Sequence, residues 1–165
     1  MINIPIHFHV RSGEMSFEQL FSSANTLAMV GWVILIFLPR SWKWLNSIPS
    51  VVIPLILSVL YSILIARYFF SAEGGFDSLA NVQQLFTYPA AALAGWVHYL
   101  AFDLIVGGVI AKQADEIGLS RLIQAPILLL TFMFGPFGYL LFTLIKMAVL
   151  WFMSTATASE TGMKT

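Results

Sequence analysis

Charged residues are spaced so unevenly along this chain that they leave four long stretches fit to lie in lipid. No charge falls between Glu18 and Arg40 or between Lys43 and Arg67. The third stretch carries only Asp103 and the fourth only Lys146. A membrane-crossing helix needs about 20 mostly apolar residues. The spacing therefore predicts helices over 18–38, 49–70, 90–111 and 122–150, an all-α, integral membrane four-helix bundle within a domain spanning 17–153. The fourth run stays apolar to Met153. At about 1.5 Å per residue it exceeds about 45 Å, against a bilayer core of about 30 Å. Phe134-Gly135-Pro136-Phe137-Gly138 lies inside it. Proline lacks a backbone donor and clashes with the preceding turn, so the fourth helix is expected to be broken or kinked at Gly135-Pro136.

Composition agrees. The chain is 59% hydrophobic and 10% charged, whereas a soluble domain carries roughly 25% charged residues to face water. Lipid must cover part of this surface, so the bilayer is the first expected partner. A formal net charge of zero gives no footprint for nucleic acid. The absence of cysteine excludes disulfides, thiolate metal sites and a cysteine nucleophile. Residues 1–16 read as a polar tail, with Met15 a sensible alternative start. They lack the short apolar core and cleavage site of a secretory signal. Residues 154–165 are expected to be disordered. Nothing in the sequence sets an oligomeric state.

The connections differ in kind. Pro39-Arg40-Ser41-Trp42-Lys43-Trp44 is short, basic and aromatic, which suits the headgroup level. Lys112 to Arg121 is short and polar. Residues 71–88 are acidic (Glu73, Asp77) and carry Gly74-Gly75. Phe76, Leu79, Val82, Leu85 and Phe86 recur there at helical spacing, as in an amphipathic helix lying in the interface. An ordinary loop with apolar anchors is the alternative. Four crossings put both termini on one side. The density of Arg40, Lys43, Lys112 and Arg121 on the other side places the termini outside by the positive-inside rule.

Ionisable groups at membrane depth cost about 2.5–3.5 kcal/mol and are functional candidates. Asp103, mid-way along the third helix, is the sharpest. It is expected to face the bundle interior, with Tyr99 one turn before it and Gly107 one turn after on the same face, leaving space at the glycine. Trp96 lies two turns back. The alternative role is a carboxyl that pins helices by hydrogen bonds. His98 lies about 140° round the helix from Asp103. A direct dyad is therefore not expected, although the two are able to flank one cavity. His98 is a candidate for proton transfer or substrate binding, or a packing histidine. No second histidine sits at ligand spacing, so no metal is expected; His7 and His9 in the tail read as incidental. Asn25 is the deepest strongly polar residue of the first helix and reads first as interhelical glue. Glu18 is placed at the interface, and Lys146 is expected to snorkel to the headgroups.

Certain runs together resemble a known family. They are Ser22-Ser23-Ala24-Asn25-Thr26-Leu27-Ala28, Gly31-Trp32 and Pro39-Arg40, then Gly74-Gly75-Phe76-Asp77-Ser78-Leu79 with Leu85-Phe86. Gly95-Trp96-Val97-His98-Tyr99-Leu100-Ala101-Phe102-Asp103-Leu104 with Gly107, and Phe134-Gly135-Pro136-Phe137-Gly138, complete them. The chain resembles the abscisic-acid-deficient-four-like family over about residues 15–145, a family of four-helix membrane proteins of bacteria and plastids. Its plant members are implicated in making the carotenoid neoxanthin. With no plastid targeting segment, this chain reads as a bacterial inner-membrane member. The resemblance implies an isomerase-type enzyme acting on a carotenoid or related isoprenoid by acid–base chemistry. The reaction opens an epoxide and removes a neighbouring carbon-bound proton, and needs no redox cofactor. Asp103, His98 and Tyr99 are then the catalytic candidates. Trp96, Asn25, Phe102, Gly107, Gly135 and Pro136 are candidates for substrate contact. A non-catalytic lipid- or pigment-binding partner protein is the alternative, and a small transporter the third choice.

Overall fold

The computed structural model describes residues 15–39 and 42–162, leaving aside the side chains of residues 43 and 156–162. The polar tail up to residue 14, with His7 and His9, and the last three residues of the C-terminal tail lie outside the described residues, as do Arg40 and Ser41. Among the described residues every regular element is helical. Four helices are long and apolar enough to cross a membrane.

The first helix, α1 (Phe17–Phe37), starts at a reciprocal cap: the Gln19 backbone N–H donates to Ser16 Oγ at 3.2 Å and the Ser16 N–H to Gln19 Oε1 at 2.9 Å. This satisfies two donors that a helix start leaves open. Then α2 (Lys43–Ser47) runs through one π-helical turn (Ile48–Val52) into α3 (Ile53–Tyr68). This helical stretch begins six residues before the boundary at 49 that apolarity predicts, so Lys43 and Trp44 are helical rather than part of a loop. The cause is the widened turn. Pro49 and Pro54 have no N–H to give, and the Ile53 N–H reaches back five residues to the Ile48 carbonyl instead. The chain thereby passes two prolines without losing helical direction.

A short helix, α4 (Leu79–Thr87), occupies the acidic connection, capped by Ser78 Oγ at 3.2 Å from the Asn81 N–H. The Asn81 amide also donates to both Asp77 oxygens at 2.9 and 3.0 Å, which holds this exposed carboxyl below its ordinary range. Leu85 is buried, while Phe76 precedes the helix and stacks on Phe69. Next, α5 (Pro89–Glu116) runs beyond the boundary expected at 111. It stops at Gly118, whose φ of 68° only glycine adopts freely, and the Leu119 N–H returns to the Ala114 carbonyl at 2.9 Å. This helix is the hub: 56% of its spanning window is buried, against 28–33% for the other three.

The last helix, α6 (Arg121–Gly162), is not straight. Phe134 leaves helical geometry (φ −143°, ψ 50°). Three contacts show how far the chain turns there. Gly138 lies so close to Thr131 that an added Cβ would overlap the Thr131 backbone; seven residues of straight helix would separate them by about 10 Å. Gly135 sits on the Asp103 carboxyl. Eleven residues later, Lys146 Nζ donates to Gln113 Oε1 at 3.0 Å. Had α6 continued away from Gly135 in its first direction, Lys146 would lie about 30 Å along α5 from Gln113, beyond the reach of both side chains. The second arm therefore returns alongside the first, and α6 is a helical hairpin with its turn at Phe134. Its helix also persists to Gly162, through the segment from 154 expected to be disordered. Ser154 and Thr155 donate to carbonyls three residues back, alanines follow, and no proline or glycine interrupts before Gly162.

Candidate functional site

The residues with chemistry gather where the α6 turn meets the middle of α5. Asp103 is 8% exposed, and its Oδ2 is buried without a hydrogen-bond partner. The carboxyl occupies the place that a side chain at Gly135 would need. Tyr99, one turn earlier, is near enough to interact with the carboxyl. Its hydroxyl is directed to the carbonyls of Phe132 and Met133, at 3.3 and 3.4 Å. Phe132 is the residue whose carbonyl Pro136, lacking an N–H, cannot satisfy in a regular helix. The phenol thus covers backbone that the turn exposes. Asp103 faces the interior, as its cost in lipid requires; Tyr99 stays beside it and adds these longer bonds to α6.

Outward from this point runs an aromatic ladder. The Trp96 ring is 5.4 Å from Tyr99 and 5.7 Å from Phe21 between centroids. The Trp96 Nε1–H donates to Asn25 Oδ1 at 2.8 Å, which joins α1 to α5 and makes Asn25 the interhelical tie its depth implies. Trp96 is still 41% exposed. Together with Phe17, Glu18, Phe21, Pro89, Ala92 and Leu93 it lines a cavity of about 360 Å³.

Two expectations fail here. His98 does not share a cavity with Asp103. Its ring stacks on Phe102 at 4.4 Å and lies 5.4 Å from Tyr61 of α3, beside a separate cavity of about 240 Å³ formed with Ser58, Ala101 and Phe102. The angular offset of the two residues decides this, because α3 occupies one side of α5 and the α6 turn another. Phe102 goes with His98 and is likewise away from the carboxyl. Gly107 leaves no space either: a Cβ there would meet the Trp32 ring at 2.6–2.8 Å. Trp32 in turn packs on Phe132 at 5.5 Å, closing the inner side of the site. Pro136 itself is exposed, beside buried Gly135.

Several contributors escape sequence reasoning. Gln124 is 1% exposed; its Nε2 donates to Asp115 Oδ1 at 2.8 Å and to the Leu119 carbonyl at 2.7 Å. Thr131, fully buried, donates to the Ile127 carbonyl at 2.8 Å. Lys146, expected to snorkel to the headgroups, also donates to Gln113 near the end of α5. Only Phe21 left a signal, one helical turn before Asn25. Among the described residues no group of three or more His, Asp or Glu side chains is placed to hold a metal ion.

Neither the curated proteins nor the solved structures compared with the chain give a match. The family model described as ABA DEFICIENT 4-like matches residues 19–142, a stretch that holds the aromatic ladder, Asp103 and the α6 turn. The chain belongs to the ABA DEFICIENT 4-like family.

Proposed function

We propose that this membrane protein is an isomerase-type enzyme acting on a carotenoid or related isoprenoid dissolved in the bilayer, in a bacterial inner membrane. The family relationship supports a link to neoxanthin-type synthesis and supplies the substrate class. The observation that carries the reading is the unpartnered, buried Oδ2 of Asp103 beside broken backbone. A buried polar group without a partner costs about 1–3 kcal/mol, so its retention points to use. In the reaction a carboxyl proton passes to the epoxide oxygen as the carbon–oxygen bond opens. The proton on the neighbouring carbon then passes to the Tyr99 oxygen as Tyr99 gives its own proton to the Asp103 carboxylate, and the electron pair of the broken carbon–hydrogen bond forms the new double bond. Atoms and electrons balance without an oxidant. Asp103 is the acid. Tyr99, between the carboxyl and the aromatic ladder, touches the substrate and relays the proton. Trp96, held by Asn25, lies under the chain of the substrate. His98, on another side of α5, takes no part in this exchange and is left as a binding or packing residue.

The test is Asp103→Asn in the strain that carries the protein, with isoprenoids extracted from membranes. Activity is expected to be lost while the protein still accumulates, since Asn keeps the shape but has no transferable proton. Normal products from a well-accumulated variant would exclude Asp103 as the acid. The close seat of the carboxyl on Gly135 favours a second reading, a carboxyl that holds the hairpin to α5 in a non-catalytic pigment-binding protein. In that case the variant loses abundance rather than activity.

A further inference from the structure

One face of α5 carries Pro89, Ala92, Leu93, Trp96, Tyr99, Asp103 and Gly107 at three- and four-residue spacing. The inner half of this stripe is covered. Gly135 lies over Asp103 and Trp32 over Gly107, while Tyr99 reaches the carbonyls of the turn. The outer half is open, and with Phe17, Glu18 and Phe21 it forms the 360 Å³ cavity. The boundary between the halves is the turn of α6. Asp103 stands near the middle of α5, about half of the 30 Å core from either surface. Both arms of the hairpin lie on one side of that level. One starts at Arg121, where the guanidinium donates to the carbonyls of Ile36 and Leu38 at 3.3 and 2.7 Å; the other passes Lys146 beside Gln113.

We propose that α6 enters the bilayer only to mid-depth and returns to the face it came from. The uncovered outer half of the α1–α5 groove is then a binding site for an elongated apolar molecule ending in a hydroxyl, admitted from one leaflet. Three crossings result, and the termini lie on opposite faces. Irregular backbone at membrane depth persists only when it is buried in protein or lines a cavity; here Gly135 is buried and Tyr99 bonds the Phe132 and Met133 carbonyls. Charge agrees. Lys112, Arg121 and Lys146 fall on the hairpin's face, where the start of α2 adds Lys43, whereas Arg67 lies on the other. The positive-inside rule makes the hairpin's face cytoplasmic, so the cleft opens to the opposite leaflet. The ligand class follows from the lining: aromatic and aliphatic walls from Phe17, Phe21, Pro89, Ala92, Leu93 and Trp96, with the Glu18 carboxyl as the acceptor for a terminal hydroxyl. The site deepens the enzymatic reading above and rests on it for the identity of the natural ligand. Its test needs no turnover and so fails separately.

The chain has no cysteine, which makes single-cysteine labelling with a membrane-impermeant maleimide direct. In intact cells or right-side-out vesicles, Thr155→Cys is expected to label with Ser120→Cys and opposite to Ala80→Cys. Labelling of Thr155→Cys together with Ala80→Cys means four crossings and overturns the proposal. For the cleft, oleyl alcohol is the probe and octadecene its control, each added to the purified full chain in nanodiscs. Oleyl alcohol is expected to bind at least about tenfold tighter than octadecene. Ala92→Trp, which fills the cleft, should lose about tenfold or more, and Val59→Trp on the far face of α3 should lose nothing. Equal binding of both probes, binding indifferent to Ala92→Trp, or no binding of oleyl alcohol each overturns the site.

Discussion

Two proline-bearing stretches of this protein meet opposite fates. Between Ser47 and Ile53 the chain passes Pro49 and approaches Pro54 by widening a single turn, and the helix continues. At Phe134, two residues before Pro136, the helix reverses. Pro126, also inside α6, accompanies no departure from helical geometry. Proline is therefore not what separates the cases. The difference lies in what surrounds it. Gly135 and Gly138 flank Pro136 and allow backbone to lie on a carboxyl and on another backbone, whereas Pro49 and Pro54 are separated by Ser50, Val51, Val52 and Ile53. A proline loosens one hydrogen bond. Small residues decide whether the loosened chain can fold onto a neighbour.

That contrast is open to direct attack. The largest effect is expected from Gly138→Leu, since any side chain there overlaps the Thr131 backbone, which cannot move aside. Loss of about 3 kcal/mol or more, seen as failure to accumulate in membranes, is expected; normal accumulation breaks the comparison. Gly135→Ala should cost about 1–3 kcal/mol in detergent unfolding, because its Cβ needs the place of the Asp103 carboxyl. Adding Asp103→Ala should recover part of that loss, a coupling that only direct contact produces. Gly108→Ala, at the α5 surface facing the widened turn, meets Ser50 Oγ at 2.9 Å and its Cβ at 3.1 Å. A loss of about 1 kcal/mol is expected there. Pro136→Ala should change stability by less than about 1 kcal/mol and leave the labelling of Thr155→Cys on the same face. A switch of face on that substitution would hand the reversal back to the proline.

Much of this architecture is legible in the sequence, and the failures have identifiable causes. Apolar run length and the spacing of charges locate α1, α3, α5 and α6, because burial in lipid demands both. The depth of Asp103 follows from its place in one such run. Direction does not follow, because apolar residues suit a straight helix and a hairpin alike; only the excess length of the fourth run and its Gly-Pro-Gly cluster hinted at a break. The bond from Lys146 to Gln113 was hidden because it exists only once the chain has reversed. Gly107 misled for another reason. A missing side chain marks close approach as readily as vacancy, and Trp32 had already taken the space. His98 was separable from Asp103 by angle alone, but which neighbour each would meet depended on where α3 and α6 docked.

The bonds from Arg121 to Ile36 and Leu38 also bear on assembly in time. They join residues 85 and 83 positions apart. During synthesis the first helix leaves the ribosome long before its partner exists, and the carbonyls at its end wait for water or headgroups. Everything from α2 to α5 must be made before the guanidinium arrives. A chain stopped short of residue 121 can insert its first segments yet leaves this latch unfastened. Pulse-chase protection of α1 from protease should therefore appear late, after the last helix has emerged, rather than when α1 itself enters the membrane.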